Sequence, residues 1–280
     1  MRLALGAMSV QSVGPADIVA EIERYKLGWV EHFSLWCVVR GIFKHAAGKK
    51  LVHASPCAGI QLEAIIGKRP PVKKWLMLTA DELHAVLTAK MSPENLLSVS
   101  ILAATGVRSE ELFTSEKANL FLDESRWHIP ASKTGPAMDI PLASVVVEWF
   151  RELLALSAGS AYVLPTRAAS RAERQGGDAH VNRNTIGAAI TFWLKEHKPK
   201  VRHFTPHDLR STMKSHMRAL GVSRDVSEMC LNHRLAGVEG IYDQHSYYEE
   251  RREALELWAA FLDTCRRGKE WNVTPMRRSA

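Results

Sequence analysis

Apolar residues recur at helical spacing, three or four positions apart, through most of the chain. That period is typical of amphipathic helices that pack one face against a core. The first 70 residues hold two such stripes: Ile18, Ile22 and Tyr25 after Pro15, then Trp36, Val39, Ile42 and Phe43. The pattern therefore predicts a helical N-terminal region.

The helical pattern stops at a basic, proline-containing segment, residues 67–74. Proline and glycine punctuate local structure, so we place a domain boundary here. The expected division is a helical domain over residues 1–70, a linker over 71–78, a second domain over 79–265 and a basic tail over 266–280. The linker either lies against an acidic polymer or is an ordinary solvated connection, and its composition favours neither interpretation.

The second domain opens with signals for a helix start. Thr79 and Glu82 have the spacing of a capping box, in which two side chains satisfy the first amides of a helix. A later apolar run stops at Gly106, the residue type that ends helices in the left-handed conformation. Arg108 is therefore predicted to lie at a junction between two helices.

One region has a β signal instead. Residues 126–130 and 137–141 are predicted strands, joined by a turn that holds Lys133. The polar stretch over residues 166–182 is predicted to be a mobile loop. Further helices are predicted over residues 145–156, 184–196, 206–221, 223–229 and 248–262.

Composition narrows the class of protein and of partner. Apolar residues make up 46% of the 280 residues and charged residues 24%, which excludes a disordered chain. The net charge of +7 favours a polyanionic partner without naming it. The excess is local, because residues 167–210 hold nine bases against four acids, whereas residues 71–140 hold seven against nine. Such a stripe either contacts a phosphate backbone, with salt-dependent binding, or is an ordinary solvated surface.

Four cysteines, Cys37, Cys57, Cys230 and Cys265, lie far apart and form no paired motif. That spacing argues against a zinc site and against a disulfide framework. No apolar run approaches the length of a membrane span, and the N-terminus turns polar too early for a signal peptide. We therefore predict a reduced cytoplasmic protein with no membrane association, no metal and no cofactor.

One helix start places two reactive side chains together. Thr205 and Pro206 have the properties of a helix cap and a first helical residue, and Asp208 adds an acid in the first turn. His207 and Arg210, three residues apart, share one face of that helix. A cation is disfavoured near a helix start, so Arg210 is either functional or a surface residue that tolerates a small penalty.

Five elements occur together in one order and spacing. They are the sequence ATGVRSEEL over residues 104–112, the hairpin Lys133, the sequence PHDLR over 206–210, the sequence LNH over 231–233, and Tyr242 nine residues after His233. In this arrangement the chain resembles the tyrosine recombinase, or phage integrase, family over roughly residues 76–265. Residues 242–255 look especially like prophage-type integrases.

The resemblance implies a fold and a domain organisation. The fold is mainly α with a small antiparallel β-sheet, the DNA breaking-rejoining catalytic fold, preceded by part of a helical, SAM-like core-binding domain. Residues 15–62 look like only the later helices of that domain and end in the familiar segment 51–60. We therefore expect a truncated core-binding domain and no arm-binding domain, as in a truncated gene product, a late translation start or a degenerate remnant.

The resemblance also implies roles at a DNA phosphate. Arg108 and Arg210 would clamp the anionic phosphodiester, because guanidinium groups are planar and permanently charged. His207 and His233 would donate further hydrogen bonds to the charge that grows during displacement, and His207 can also pass a proton. Asn232 stands where the family usually has glycine, and asparagine tolerates a left-handed conformation.

Tyr242 is the implied nucleophile. Tyrosine ionises near pH 10, so it needs help from a base or a positive site. It would form a covalent 3′-phosphotyrosine and leave a 5′ hydroxyl, with Lys133 as the acid for the leaving oxygen and Glu111 orienting the cationic cluster. Without the family pattern, Lys133 would be an ordinary turn lysine. Tyr247 and Tyr248 are rival nucleophiles, but their spacing does not fit the family, and we interpret them as packing residues.

The resemblance implies a site-specific DNA recombinase or integrase of a prophage or other mobile element, working without metal or ATP. The expected partners are double-stranded DNA, a homotetramer on synapsed sites and accessory DNA-bending proteins. Two alternatives stay open: a DNA-binding remnant without strand transfer, and a basic helical protein that never meets DNA. The last predicted helix presents Leu255, Trp258 and Leu262, which either dock on a neighbouring protomer or fold back on their own core.

Overall fold

The computed structural model describes residues 4–71, 75–131, 135–232 and 247–271. The chain divides into two compact units, Met1–Lys74 and Trp75–Ala280. None of the helices in the described ranges combines the length and the hydropathy that a bilayer span requires.

The first unit is helical and has its own small core. The predicted stripes account for most of that core, because Ile18, Ile22, Trp36, Val39 and Phe43 are all buried. After a short 3₁₀ turn at Ala4–Ala7, its helices are α1 (Pro15–Glu23), α2 (Trp29–Gly48) and α3 (Leu62–Ile66).

Two positions of the predicted stripes are wrong. Helix α1 ends at Glu23, so Tyr25 lies beyond it and is only half-buried. Ile42 is exposed, because 3.6 residues per turn place it to one side of the stripe through Val39 and Phe43.

The second unit is built around its second helix, α5 (Pro93–Thr105), in which every residue from Leu97 to Thr105 is buried. Six other helices of the unit contact it: α4 (Ala80–Leu87), α6 (Ser109–Phe113), α7 (Ser144–Leu156), α9 (Thr185–His197), α10 (Pro206–Ala219) and α12 (Tyr248–Arg266). Because α5 is buried on all sides, it is a fixed support for the residues that follow it, Gly106 to Arg108. The other helices within the described part of this unit are α8 (Ala169–Arg174) and α11 (Arg224–Cys230).

A three-stranded antiparallel sheet lies between α6 and α7. Its strands are β1 (Leu120–Phe121), β2 (Arg126–Ile129) and β3 (Met138–Pro141), in that spatial order. Trp127 pairs with Ile140 and both are buried, while His128 pairs with Asp139 on the more exposed face. This alternation explains why the β2–β3 hairpin was predictable. The fold is mainly α with a small antiparallel sheet, as predicted.

Two elements depart from the sequence expectation. Strand β1 is only two residues long, too short to produce an alternating pattern. The predicted mobile loop over residues 166–182 contains helix α8 and a β-bridge between Pro165 and His180. Helix α8 has no buried residue, so its sequence lacks the apolar stripe from which a helix can be predicted.

Helix boundaries follow the predicted chemistry. Thr79 Oγ1 accepts a hydrogen bond from Glu82 N at 3.2 Å and Glu82 Oε2 accepts one from Thr79 N at 2.8 Å, which confirms the capping box. The last helix, α12, buries Leu255, Trp258 and Leu262 against the core of its own chain, which is the fold-back alternative. The Trp258 indole also donates to the carbonyl of Ala103 in α5 at 2.8 Å.

Candidate active site

Arg108 lies directly after the rigid helix α5, at the start of α6. The turn between them depends on Gly106, whose φ of 61° is left-handed as predicted. A Cβ at Gly106 would lie 2.8 Å from Leu231 Cδ2 and closer still to Met213, so any other residue would strain the left-handed backbone and displace these two side chains. The close approach draws the loop that begins at Leu231 toward the loop that carries Arg108.

Glu111 holds Arg108 in place at two points. One carboxylate oxygen accepts from the Arg108 backbone amide at 2.6 Å, and the other accepts from Arg108 Nη1 at 3.0 Å. The glutamate is nearly buried while the arginine side chain is 30% exposed. Glu111 therefore fixes the position of a guanidinium that still reaches solvent.

Arg210 lies on α10 and is buried, with 3% of its surface exposed. Its guanidinium donates to two backbone carbonyls, those of Gly106 and Leu231. Burial, followed by the positive charge of Arg108, lowers the pKa of Arg210 to about 10. The side chain therefore stays protonated at neutral pH, and it joins the loop before Arg108 to the loop before His233.

His207 lies in the first turn of the same helix and is exposed to solvent. Pro206 begins α10, and Asp208 caps it by accepting from the Thr205 amide at 2.9 Å. The His207 ring is exposed and lies against the indole of Trp75, with 4.3 Å between ring centroids. One turn of helix thus leads from an exposed imidazole to the buried Arg210.

An extended strap, residues 75–78, runs along α10 and was not expected to belong to the site. Leu76 N donates to Asp208 Oδ1 at 3.2 Å, and Leu76 O accepts from Ser211 Oγ at 2.7 Å. Leu78 N then donates to Thr212 Oγ1 at 3.0 Å. The only sequence signal is the set of short polar side chains on α10 at positions 208, 211 and 212, and the strap they hold places Trp75 on His207.

The described end of the hairpin turn meets the same cluster. A Cβ on Gly135 would lie 3.8 Å from Arg108 Nη1 and 3.2 Å from Asn232 Nδ2. Asn232 also donates to the carbonyl of Pro136 at 3.3 Å, and its φ of 51° is left-handed as expected. Two chain segments therefore converge on Arg108: the hairpin turn and the stretch that follows α11.

Lys133, His233 and Tyr242 lie outside the described residues and stay predictions. Their described neighbours in the chain do lie at the site: Gly135 is two residues after Lys133, and Asn232 is immediately before His233.

The rival tyrosines have structural surroundings of their own. Tyr247 is left-handed, with a φ of 51°, and caps the start of α12. Tyr248 is half-buried in the first turn of that helix, and burial, together with the nearby Asp139 carboxylate, raises its pKa above that of a free tyrosine. A raised pKa makes a phenol a poorer nucleophile, which agrees with a packing role.

The basic stripe over residues 167–210 divides into two groups. Some of its members are occupied within the fold: Arg202 pairs with Glu82, Arg171 donates to the His180 carbonyl at 2.9 Å, and Arg210 is buried. In the Arg202–Glu82 pair, hydrogen bonds from Arg202 stabilise the charged carboxylate and lower the pKa of Glu82 to about 2. Arg167 is exposed but also pairs with Glu94, at 3.4 Å. The other exposed members of the stripe are Arg174, Arg183, Lys195, Lys198 and Lys200.

No three histidine, cysteine, aspartate or glutamate side chains within the described ranges group closely enough to hold a metal ion. The charged donors that the structure does bring together are guanidinium groups. Two arginines with converging loops form a site suited to one anionic group with several oxygens, such as a phosphate.

The chain is similar in sequence to a curated prophage integrase. The prophage integrase IntZ of Escherichia coli (strain K12) is 23% identical over 265 residues, which cover 93% of this chain and 62% of IntZ. This chain therefore spans about three fifths of the length of that curated relative.

Solved structures agree on the fold. The Tn1549 transposon integrase in complex with a circular intermediate DNA superposes with a TM-score of 0.64 at 15% identity, over 91% of this chain and 88% of that one. A lambda integrase dimer bound to a COC′ core site superposes with a TM-score of 0.60 at 14% identity, over 96% of this chain and 86% of that one. A family model described as the phage integrase family matches residues 77–249, a range that contains Arg108, Glu111, His207 and Arg210. With its site inside the matched range and its fold shared with two integrases, the chain belongs to the phage integrase family.

Proposed function

We propose that this chain is a site-specific DNA recombinase that cleaves and rejoins DNA through a covalent 3′-phosphotyrosyl intermediate. The observation that carries the proposal is the pair of arginines, one buried and one oriented by Glu111, at the meeting point of the hairpin turn and the loop before His233. A phosphodiester needs fixed positive donors there, because displacement at phosphorus adds charge to its non-bridging oxygens.

The arginines divide the work of binding the phosphate. Arg108 would bind the DNA phosphate through its partly exposed guanidinium. The buried Arg210 would add positive charge beneath the phosphate, and it holds the Gly106 and Leu231 loops together through their carbonyls. His207 and His233 would add hydrogen-bond donors around the same oxygens. Donors held in advance need no rearrangement when the charge develops, so they stabilise the transition state selectively.

The covalent step exchanges one ester for another. The Tyr242 Oη–phosphorus bond forms as the bond from phosphorus to the 5′ oxygen breaks. The phenolic proton leaves to a base, for which His207 is the candidate, and the 5′ oxygen takes a proton from Lys133. The phosphodiester energy is kept in the protein–DNA bond, so a second 5′ hydroxyl can reverse the step on another strand without ATP.

The proposed substrate is double-stranded DNA, which a homotetramer would hold as two synapsed sites, with accessory DNA-bending proteins where a site requires them. The exposed lysines and arginines of residues 167–200 support binding to the phosphate backbone. Such binding weakens steeply as salt rises.

The test uses nicked duplexes tiled across the DNA that flanks the coding sequence. Cleavage next to a nick releases a short strand, so the covalent protein–DNA adduct accumulates and is counted on a denaturing gel. We expect an adduct from the unaltered chain, none from Tyr242→Phe, and an undiminished yield from the matched control Tyr247→Phe. An adduct retained by Tyr242→Phe would assign the nucleophile elsewhere. Salt-sensitive DNA binding with no adduct from any duplex would favour the remnant without strand transfer.

A further inference from the structure

The exposed ring of His207 has an aromatic neighbour that the proposed chemistry does not yet use. The indole of Trp75 lies against it, with 4.3 Å between ring centroids and the two ring planes inclined at 51°. Trp75 is itself 65% exposed, so the hydrophobic core does not hold it there. Exposed side chains otherwise sample several rotamers. The position of the indole is therefore set by the backbone that carries it.

Hydrogen bonds fix the strap immediately after Trp75. Its next three carbonyls each accept one: Leu76 O from Ser211 Oγ at 2.7 Å, Met77 O from Arg202 Nη2 at 2.7 Å, and Leu78 O from His216 Nε2 at 2.8 Å. Leu78 also anchors the strap through its side chain, which is fully buried. An extended segment with this many partners opens only at a high cost in free energy. The backbone that follows Trp75 is therefore held firmly in place.

Most of the strap's partners form one stripe on α10, the helix whose first turn holds His207. They lie at positions 208, 211, 212 and 216, a spacing that places them on one face. The strap follows that face from the start of the helix, so Trp75 lies at the end where His207 is. Asp208 fixes both partners, because one carboxylate oxygen accepts from Leu76 N at 3.2 Å and the other from Thr205 N at 2.9 Å. The same helix start therefore positions the indole and the imidazole.

We propose that Trp75 is a positioning residue for His207: its indole holds the imidazole in one orientation and stabilises the positive charge that the imidazole acquires. The inference rests on the proposed function, in which a ring nitrogen of His207 takes the phenolic proton as the oxygen–phosphorus bond forms. The imidazole then gains one positive charge, and an indole attracts a cation that lies within about 6 Å of its ring centre. A base that is already oriented also needs no rearrangement during the step.

The test asks whether the effect of Trp75 depends on His207. Adduct formation on a nicked duplex is timed at saturating DNA for the unaltered chain, Trp75→Ala, His207→Ala and the double variant. The nick traps the adduct, so slow variants are measured over hours. We expect Trp75→Ala to slow the reaction about 5–10-fold, a part of the 10²–10⁴ that a positioned base supplies. In the His207→Ala background the same substitution should change the rate less than about 2-fold, because no imidazole is left to position.

Matched variants separate this role from the loss of any exposed aromatic side chain. Phe192 on α9 is also 65% exposed, and Phe192→Ala should leave the rate unchanged. Trp75→Phe keeps an aromatic ring beside the imidazole, so its rate should lie within about 3-fold of that of the unaltered chain. Ser211→Ala removes one donor to the strap, so it should give a smaller loss that also disappears in the His207→Ala background.

DNA affinity is the second readout. Trp75→Ala should bind the duplex as tightly as the unaltered chain in fluorescence anisotropy, because in this role the indole acts on His207 and not on DNA. A fall in rate or affinity that persists in the His207→Ala background would assign Trp75 a direct contact with DNA and overturn the positioning role. An undiminished rate for Trp75→Ala would overturn it too. Both results leave the proposed function intact, whereas no adduct from the unaltered chain would overturn the proposed function and this inference with it.

Discussion

The two arginines of the site are held in opposite ways. Arg210 is buried and its partners are main-chain carbonyls of two loops, so removing it disturbs the fold and the site together. Arg108 is partly exposed and its partner is one carboxylate on its own short helix. Two arginines with the same charge in one site can therefore differ in how much they contribute to the stability of the fold. The difference also predicts that stability and activity separate at one position and not at the other.

The largest combined effect is expected at Arg210. Arg210→Met leaves the carbonyls of Gly106 and Leu231 buried without their donor, which should lower the free energy of unfolding by about 2 kcal/mol. Loss of one fixed charge at the phosphate should also slow adduct formation by about 10²–10³-fold. Urea unfolding and adduct yield on nicked duplexes measure the two effects. Unchanged stability would mean that the two carbonyls do not depend on Arg210.

At Arg108 the same chemical loss is expected without the structural one. Arg108→Met should slow adduct formation by a similar factor, about 10²–10³-fold, because the phosphate again loses a fixed donor. Its unfolding free energy should change by less than about 1 kcal/mol, the range of partly exposed ion pairs. Both variants should be measured in one buffer, and a stability loss as large as that of Arg210→Met would erase the contrast between them.

A third arginine, Arg202, stabilises the fold through an ion pair, and this contribution should depend on pH. Arg202 is half-exposed and lowers the pKa of Glu82 from 4.5 to about 2. A carboxylate with a lowered folded pKa stabilises the fold above its ordinary pKa, and that stability is lost as pH falls toward 2. Glu82→Gln keeps the capping geometry but not the charge, so its melting temperature should be a few degrees lower at pH 7, about 2–4 °C.

The difference between Glu82→Gln and the unaltered chain should narrow as the pH falls below about 4.5. Thermal unfolding at a series of pH values follows it. A difference independent of pH would show that Glu82 stabilises the fold by packing or capping rather than by charge.

Local signals made much of the site predictable. Gly106 stands at the end of a periodic apolar run, so its left-handed turn and the junction at Arg108 could be expected. The hairpin was visible because buried Trp127 and Ile129 alternate with more polar neighbours. The capping boxes at Thr79 and Thr205 are likewise short-range patterns.

Contacts between distant segments were not predictable in the same way. The strap at residues 75–78 pairs with side chains more than 130 positions later, and an extended segment has no period to reveal that partner. Arg251 looks on sequence like any arginine of a charged helix, and only the packing of α12 on β3 buries it. The roles of Lys133, His233 and Tyr242 stay predictions drawn from the family pattern.

The order of synthesis gives the carbonyl contacts of Arg210 a further consequence. Gly106 is made 104 residues before Arg210, and Ala103 is made 155 residues before the Trp258 that closes over it. At about 5–20 residues per second, the first interval takes roughly 5–20 s. During that time the loop before Arg108 has been made, but Arg210, which binds the Gly106 carbonyl of that loop, has not. The contact that joins the two loops therefore forms only after α5, α10 and α11 have all been made.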